Sequence, residues 1–213
     1  MKKRYRSRKK KAFLRGLLLV VLVTVLSLTN AVSFLPQQAA YRIAEMQNVA
    51  QPRILRSFYD HKLKVYRFAR QYLMEGEEAL ILCAVGWDPL SGWYDRDWSA
   101  VRTQDGNGFH MGYRGHQQGN AYSGYFYGRL DDERMSRVKL RWKDAEEERW
   151  YEEELSEDAF FQGKNGKRYL LKESSFGAED TRWFQHMTAY AYDETGVLLA
   201  EEKVFWQEWG SAG

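Results

Sequence analysis

Residues 79–86 read ALILCAVG, a run with no charged side chain and the length of a strand. An apolar run this short, with no polar face, predicts a central β-strand buried on both sides. Cys83 sits inside it, where a thiol is buried, neutral and inert; a catalytic thiol needs an electropositive, partly open setting. Working outward, Leu63 and Val65 alternate with Lys64 and Tyr66, the period of a half-buried strand. Residues 87–128 are rich in Trp, Tyr and Gly, with glycines at 106, 108, 112, 115, 119 and 124, and this predicts turns and short strands. Val138, Leu140 and Trp142 alternate with Lys139, Arg141 and Lys143, and Arg149 to Leu155 returns as the pairing strand. Asn165-Gly166 predicts a type I′ hairpin turn between Phe160, Phe161 and Tyr169, Leu170, Leu171. Trp183 to Tyr192, a turn at Asp193–Gly196, and Val197 to Trp206 predict a further hairpin. The fold class is mainly β: one antiparallel β-sandwich or partly open barrel over residues 54–213.

Ahead of this region lies a different kind of sequence. Lys2, Lys3, Arg4, Arg6, Arg8, Lys9, Lys10, Lys11 and Arg15 carry nine positive charges with no acid among them. The stretch Gly16 to Leu35 then has no ionisable side chain. Such a run covers ~30 Å as a helix, the thickness of a bilayer core, and predicts an N-terminal transmembrane helix. The apolar run is long for a cleavable signal and has no strong A-x-A site, so it reads as an uncleaved signal anchor. Basic flanks stay inside. The expected organisation is a cytoplasmic basic tail over 1–15, a membrane span over 16–35, a stalk over 36–53 and an extracytoplasmic β-rich domain over 54–213. Ile43, Met46 and Val49 give the stalk the spacing of a short helix.

The 213-residue chain has a net charge of +3, and taking away the nine charges of the tail leaves residues 16–213 at −6. An acidic outer domain lacks the clustered cations that hold phosphates, so nucleic acid is not an expected partner. One cysteine permits no intrachain disulfide.

Motifs for chemistry are incomplete. His110 and His116, with Asp105 nearby, stand in a glycine-rich stretch read as a flexible loop, but no third His is near and no H-E-x-x-H occurs. Asp95-Arg96-Asp97 opens like a calcium loop and fails at its sixth and twelfth positions, Ala100 and Gly106. There is no G-x-S-x-G, and Ser123 sits in A-Y-S-G. Nine carboxylates between Asp144 and Asp158 read as a solvated hairpin face. No cofactor and no metal is expected.

The layout GNAYSGYFYG (119–128), ERMSRVKLRW (133–142), AFF (159–161), GKRYLL (166–171) and AYDETGVLLAE (191–201) resembles a loose group of uncharacterised membrane-anchored or secreted β-rich extracytoplasmic proteins of Gram-positive spore-forming bacteria. The resemblance implies a β-rich outer domain and assigns no catalytic residue.

The most site-like segment is WDPLSGWYDRDW (87–98): Trp87, Trp93, Tyr94 and Trp98 offer faces for sugar rings, and Asp95 and Asp97 could accept their hydroxyl protons. Expected partners are membrane lipid, through the anchor, and cell-wall glycan or another envelope protein. The leading expectation is a non-enzymatic binding or scaffolding domain at the cell envelope. Alternatives are an envelope enzyme acting on glycans through Trp87–Trp98 and a non-catalytic glycan-binding module.

Overall fold

The computed structural model describes residues 2–28, 33–59, 69–89, 92–103, 108–118, 121–143, 150–177 and 186–208. The strand expected around Leu63 and Val65 lies outside them, as does Trp183.

Two helices, α1 (Lys2–Leu28) and α2 (Pro36–Met46), precede a mainly β domain. Its first sheet is the meander β1 (Arg53–Tyr59), β2 (Arg70–Glu75), β3 (Ala79–Asp88) and β4 (Gly92–Arg102). A middle sheet is built from β5 (Phe109–Gln118), β6 (Ala121–Leu130), β9 (Phe160–Gln162), β10 (Arg168–Gly177) and β13 (Phe205–Glu208), in the order β13-β5-β6-β10-β9. The third contains β7 (Arg137–Lys143), β8 (Trp150–Leu155), β11 (Thr188–Tyr192) and β12 (Leu198–Lys203), in the order β12-β11-β7-β8. β13 runs parallel to β5; the other ladders are antiparallel.

Alternation along the strands assigns the layers. Tyr72, Met74, Ile81, Cys83 and Val85 meet Ala39, Ala40, Ile43 and Ala44 of α2. Leu73, Leu80, Leu82 and Val101, on the opposite face, meet Tyr127 and Tyr169 of the middle sheet. Phe109, Met111, Phe126 and Leu170 face the third sheet through Val138, Leu140, Ala189 and Ala191. Three stacked sheets under a helix thus replace the expected two-sheet sandwich or barrel. The central strand read from ALILCAVG is β3, buried on both faces.

Three further expectations change. The glycine-rich stretch forms the long hairpin β5–β6 rather than short strands and turns. Val197–Trp206 is split at buried Val204, where the chain crosses from the third sheet to the middle one. The Asn165-Gly166 turn is not type I′: Gly166 alone has a left-handed φ, of 81°. The Gly166 N–H donates to the Gly163 carbonyl and the Gly163 N–H to that of Lys167, a type I turn closed by a left-handed glycine. Asp193–Val197 repeats that arrangement with Gly196 at 91°.

The segment expected as a stalk is docked. Pro36 starts α2, and Gln38 Oε1 accepts the N–H groups of Phe34 and Leu35 at 3.0 and 3.1 Å. Ser33 is buried, and its carbonyl accepts the Trp93 N–H at 2.8 Å. Residues 33–35 therefore belong to the domain, and of the apolar run read as spanning to Leu35 the described helix α1 covers Gly16 to Leu28. Gly16 to Leu28 rises only ~20 Å. Among the described residues no helix is long and apolar enough to cross a membrane.

Candidate functional site

The aromatic segment forms the β3–β4 hairpin, in which Trp87 lies opposite Trp93, Gly86 opposite Tyr94 and Val85 opposite Asp95. The ladder then shifts register, and Ala84 lies opposite Asp97 and Cys83 opposite Trp98. Without that bulge Asp95 and Asp97, two residues apart, would share a face. With it, Asp95 is exposed on the α2 side, whereas Asp97 turns toward the middle sheet and pairs with Arg114. The two carboxylates do not converge on a common space. Trp93 and Trp98 pack into the core under α2, the Tyr94 ring lies against Gly86, and Trp87 is exposed.

Polar side chains converge instead between the first and middle sheets, at two knots that sequence reading missed. In one, Arg114 of β5 binds Asp97 of β4 and donates to Gln71 Oε1 of β2. Nearby, Ser99 Oγ and the Tyr127 hydroxyl are 2.7 Å apart, both residues fully buried. In the other, the Glu75 carboxylate accepts from Asn165 Nδ2 at 2.8 Å and Lys167 Nζ at 3.2 Å. Arg129 Nη1 stands 3.5 Å away and Arg53 Nη2 3.6 Å. Arg129 also donates to Asp131 at 2.7 Å and to the Thr103 carbonyl at 3.1 Å. The available signal was an arginine at an inward position of a Gly- and Tyr-rich strand; its partners, up to 54 residues away, left none.

Burial sets the ionisation of the groups beside these knots. Desolvation pushes the Cys83 thiol up to about 12, against the small lowering effect of Arg114, and the Tyr72 hydroxyl up to about 12. It also raises Tyr127, despite the bond to Ser99, and Tyr169. All four are protonated in the fold, so the unfolded chain loses protons first as pH rises. Their contribution to stability is complete below pH ~8 and falls toward pH 12, with Cys83 alone removing about 1.4 kcal/mol between pH 8 and 10. A urea midpoint that stays level from pH 8 to 10 would contradict this.

The hydroxyls of Tyr127 and Tyr72 differ. Tyr72 has no hydrogen-bond partner for its oxygen among the described residues. Tyr127→Phe strands the Ser99 hydroxyl and is expected to lose about 1 kcal/mol, whereas Tyr72→Phe removes a stranded polar atom and should be neutral or stabilising. Denaturant midpoints of the two variants, measured side by side, check the order.

The remaining candidates carry less. His110 and His116 lie on one strand, six residues and ~20 Å apart, too far to share an ion; the loop reading for this stretch is thereby corrected, while Asp105 lies outside the described residues. Glu152 and Glu154 of the acidic hairpin pair with Arg141 and Lys139 on the outer face of the third sheet. A cleft of about 930 Å³ is lined by Asp131, Glu133, Phe160, Phe161, Lys167 and Arg168, among others, and its described lining has no His, Cys or Ser. Three of its charged groups are already engaged: Asp131 by Arg129, Lys167 by Glu75, and Arg168 by the Met135 carbonyl at 2.6 Å. No family model, no curated protein and no solved structure matches the chain.

Proposed function

We propose that this is a membrane-held, non-enzymatic protein whose β-rich domain binds or scaffolds at the cell envelope, with the basic tail cytoplasmic and the domain outside. One observation carries the anchor: Phe13, Leu14, the whole run Leu17–Val23 and Val25 are exposed, so between Phe13 and Val25 no face of α1 is covered. A helix apolar all round requires an apolar surrounding. At ~1.5 kcal/mol or more per large aliphatic side chain, the seven from Leu17 to Val23 alone favour hydrocarbon by ~10 kcal/mol. The ~20 Å from Gly16 to Leu28 is short for a ~30 Å core. Crossing therefore needs the Arg15 guanidinium to reach back to the headgroups and the residues after Leu28 to complete the path. The nine basic residues ahead of the run favour the cytoplasmic side.

For the domain, the non-enzymatic reading is supported by the engagement of its inward charges in the two knots and by the separation of Asp95 from Asp97. Alkaline carbonate extraction is the test: the full chain should stay with membranes and a chain lacking residues 2–28 should not. Release of the full chain overturns the anchor. Protease added to intact cells should cut the domain; protection lost only on lysis overturns the orientation. Turnover of purified wall polymer would overturn the non-enzymatic part.

A further inference from the structure

The β3–β4 end of the first sheet carries three apolar side chains left in the open: Phe34 at 40 %, Leu35 at 57 % and Trp87 at 43 % exposure. They belong to one place. Ser33 bridges to Gly92 and Trp93, Phe34 and Leu35 follow it directly, and Trp87 lies opposite Trp93 on the adjacent strand, on the same face. Arg42 fastens the corner by donating to Ser33 Oγ and to the Trp93 carbonyl.

Exposed apolar residues are ordinary when single, and Val197, Leu198 and Phe205 are others. The tether distinguishes this set. Ser33 is five residues beyond Leu28, the last residue of α1, so at ~3.8 Å per Cα step the docked corner stands no more than ~19 Å from the end of the apolar helix. We propose that this corner rests on the membrane surface, with Trp87, Phe34 and Leu35 in the headgroup region. The inference depends on the anchor reading above and adds a second, peripheral contact.

The chemistry favours an interfacial zone over a charged surface. Indole rings prefer the boundary between hydrocarbon and water, where the ring is apolar and its N–H stays wet. Charges at this end are mixed: Asp88 and exposed Asp95 against Arg42 and Arg96. Electrostatic attraction to anionic lipid is therefore not the driving term, and the contact should depend little on salt. This also gives the aromatic hairpin a role that needs neither paired carboxylates nor a stacked sugar.

The test uses the full chain in phosphatidylcholine–phosphatidylglycerol vesicles. Trp87→Cys, Leu35→Cys and, as an equally exposed control, Val197→Cys are each labelled with an environment-sensitive dye; the unsubstituted chain measures any labelling of buried Cys83. Labels at 87 and 35 should shift to the blue and lose about twofold in emission with headgroup-nitroxide lipid, while the label at 197 does neither. Equal quenching at all three sites, or none at 87 and 35 in protein that floats with the vesicles, overturns the inference and leaves the anchor standing. A blue shift that grows with protein concentration and ignores the nitroxide assigns the corner to another protein chain and overturns it as well. Failure of the full chain to float removes the anchor reading and this one with it.

Discussion

Gly124→Ala is expected to lower the stability of the domain by about 4 kcal/mol or more. A Cβ at 124 would lie 2.2 Å from the Arg114 carbonyl oxygen and 2.5 Å from the Gly115 Cα, both backbone atoms of the neighbouring strand. No side chain can move aside. Gly124 faces Gly115 across the β5–β6 ladder, and the Tyr113 hydroxyl end covers both, 2.7 and 2.6 Å from where their Cβ atoms would be. The two glycines thus create the space in which that tyrosine lies. Gly112→Ala supplies the contrast, because its Cβ meets the Val101 methyl at 2.5 Å and the Tyr127 ring at 2.9 Å, both side chains. Val101→Ala should therefore recover part of the loss at 112, while no side-chain truncation should recover the loss at 124. Chemical denaturation of the single and double variants decides it, and a Gly124→Ala midpoint within experimental error of the unsubstituted protein would remove the steric argument.

The same glycines explain where sequence reading stopped. ALILCAVG is legible as a central strand because burial on both faces writes itself as an unbroken apolar run, and β3 is that strand. The turns at Asn165-Gly166 and Asp193–Gly196 are legible in position because a left-handed residue needs glycine, although their backbone type follows from which single residue adopts it. In β5 and β6, glycine serves another purpose. It admits the Tyr113 ring at Gly115 and Gly124 and Val101 of the first sheet at Gly112, and nothing local distinguishes that use from a turn. Asp95 and Asp97 mislead for a related reason: spacing by two implies one face, and a bulge set by tertiary pairing reverses it. The knots at Arg114 and Glu75 were beyond reach, since they join strands distant in sequence. Ser33 to Leu35 are apolar enough to read as membrane, yet a backbone bond to Trp93 claims them for the domain.

Removing the charge of Glu75 should loosen the first sheet from the middle one at the knot end. Glu75→Gln keeps the shape and one acceptor oxygen, so the Asn165 contact at 2.8 Å can persist. What is lost is the negative charge facing Arg129, whose side chain is 8 % exposed, and facing the more exposed Lys167 and Arg53. Buried pairs broken on one side lose roughly 3–5 kcal/mol. Arg129 retains Asp131 and the Thr103 carbonyl, and Lys167 can turn to water, so the expected loss is nearer the lower bound, about 3 kcal/mol. Arg129→Met alone leaves Glu75 with Asn165 and Lys167 and should lose less. The double variant is the informative one: with neither charge present, the desolvation of both disappears, and the combined loss should fall below the sum of the single losses. Strict additivity would mean that the 3.5 Å approach of Arg129 to Glu75 contributes nothing, and that Asn165 and Lys167 of the β9–β10 turn hold Glu75 to the middle sheet without it.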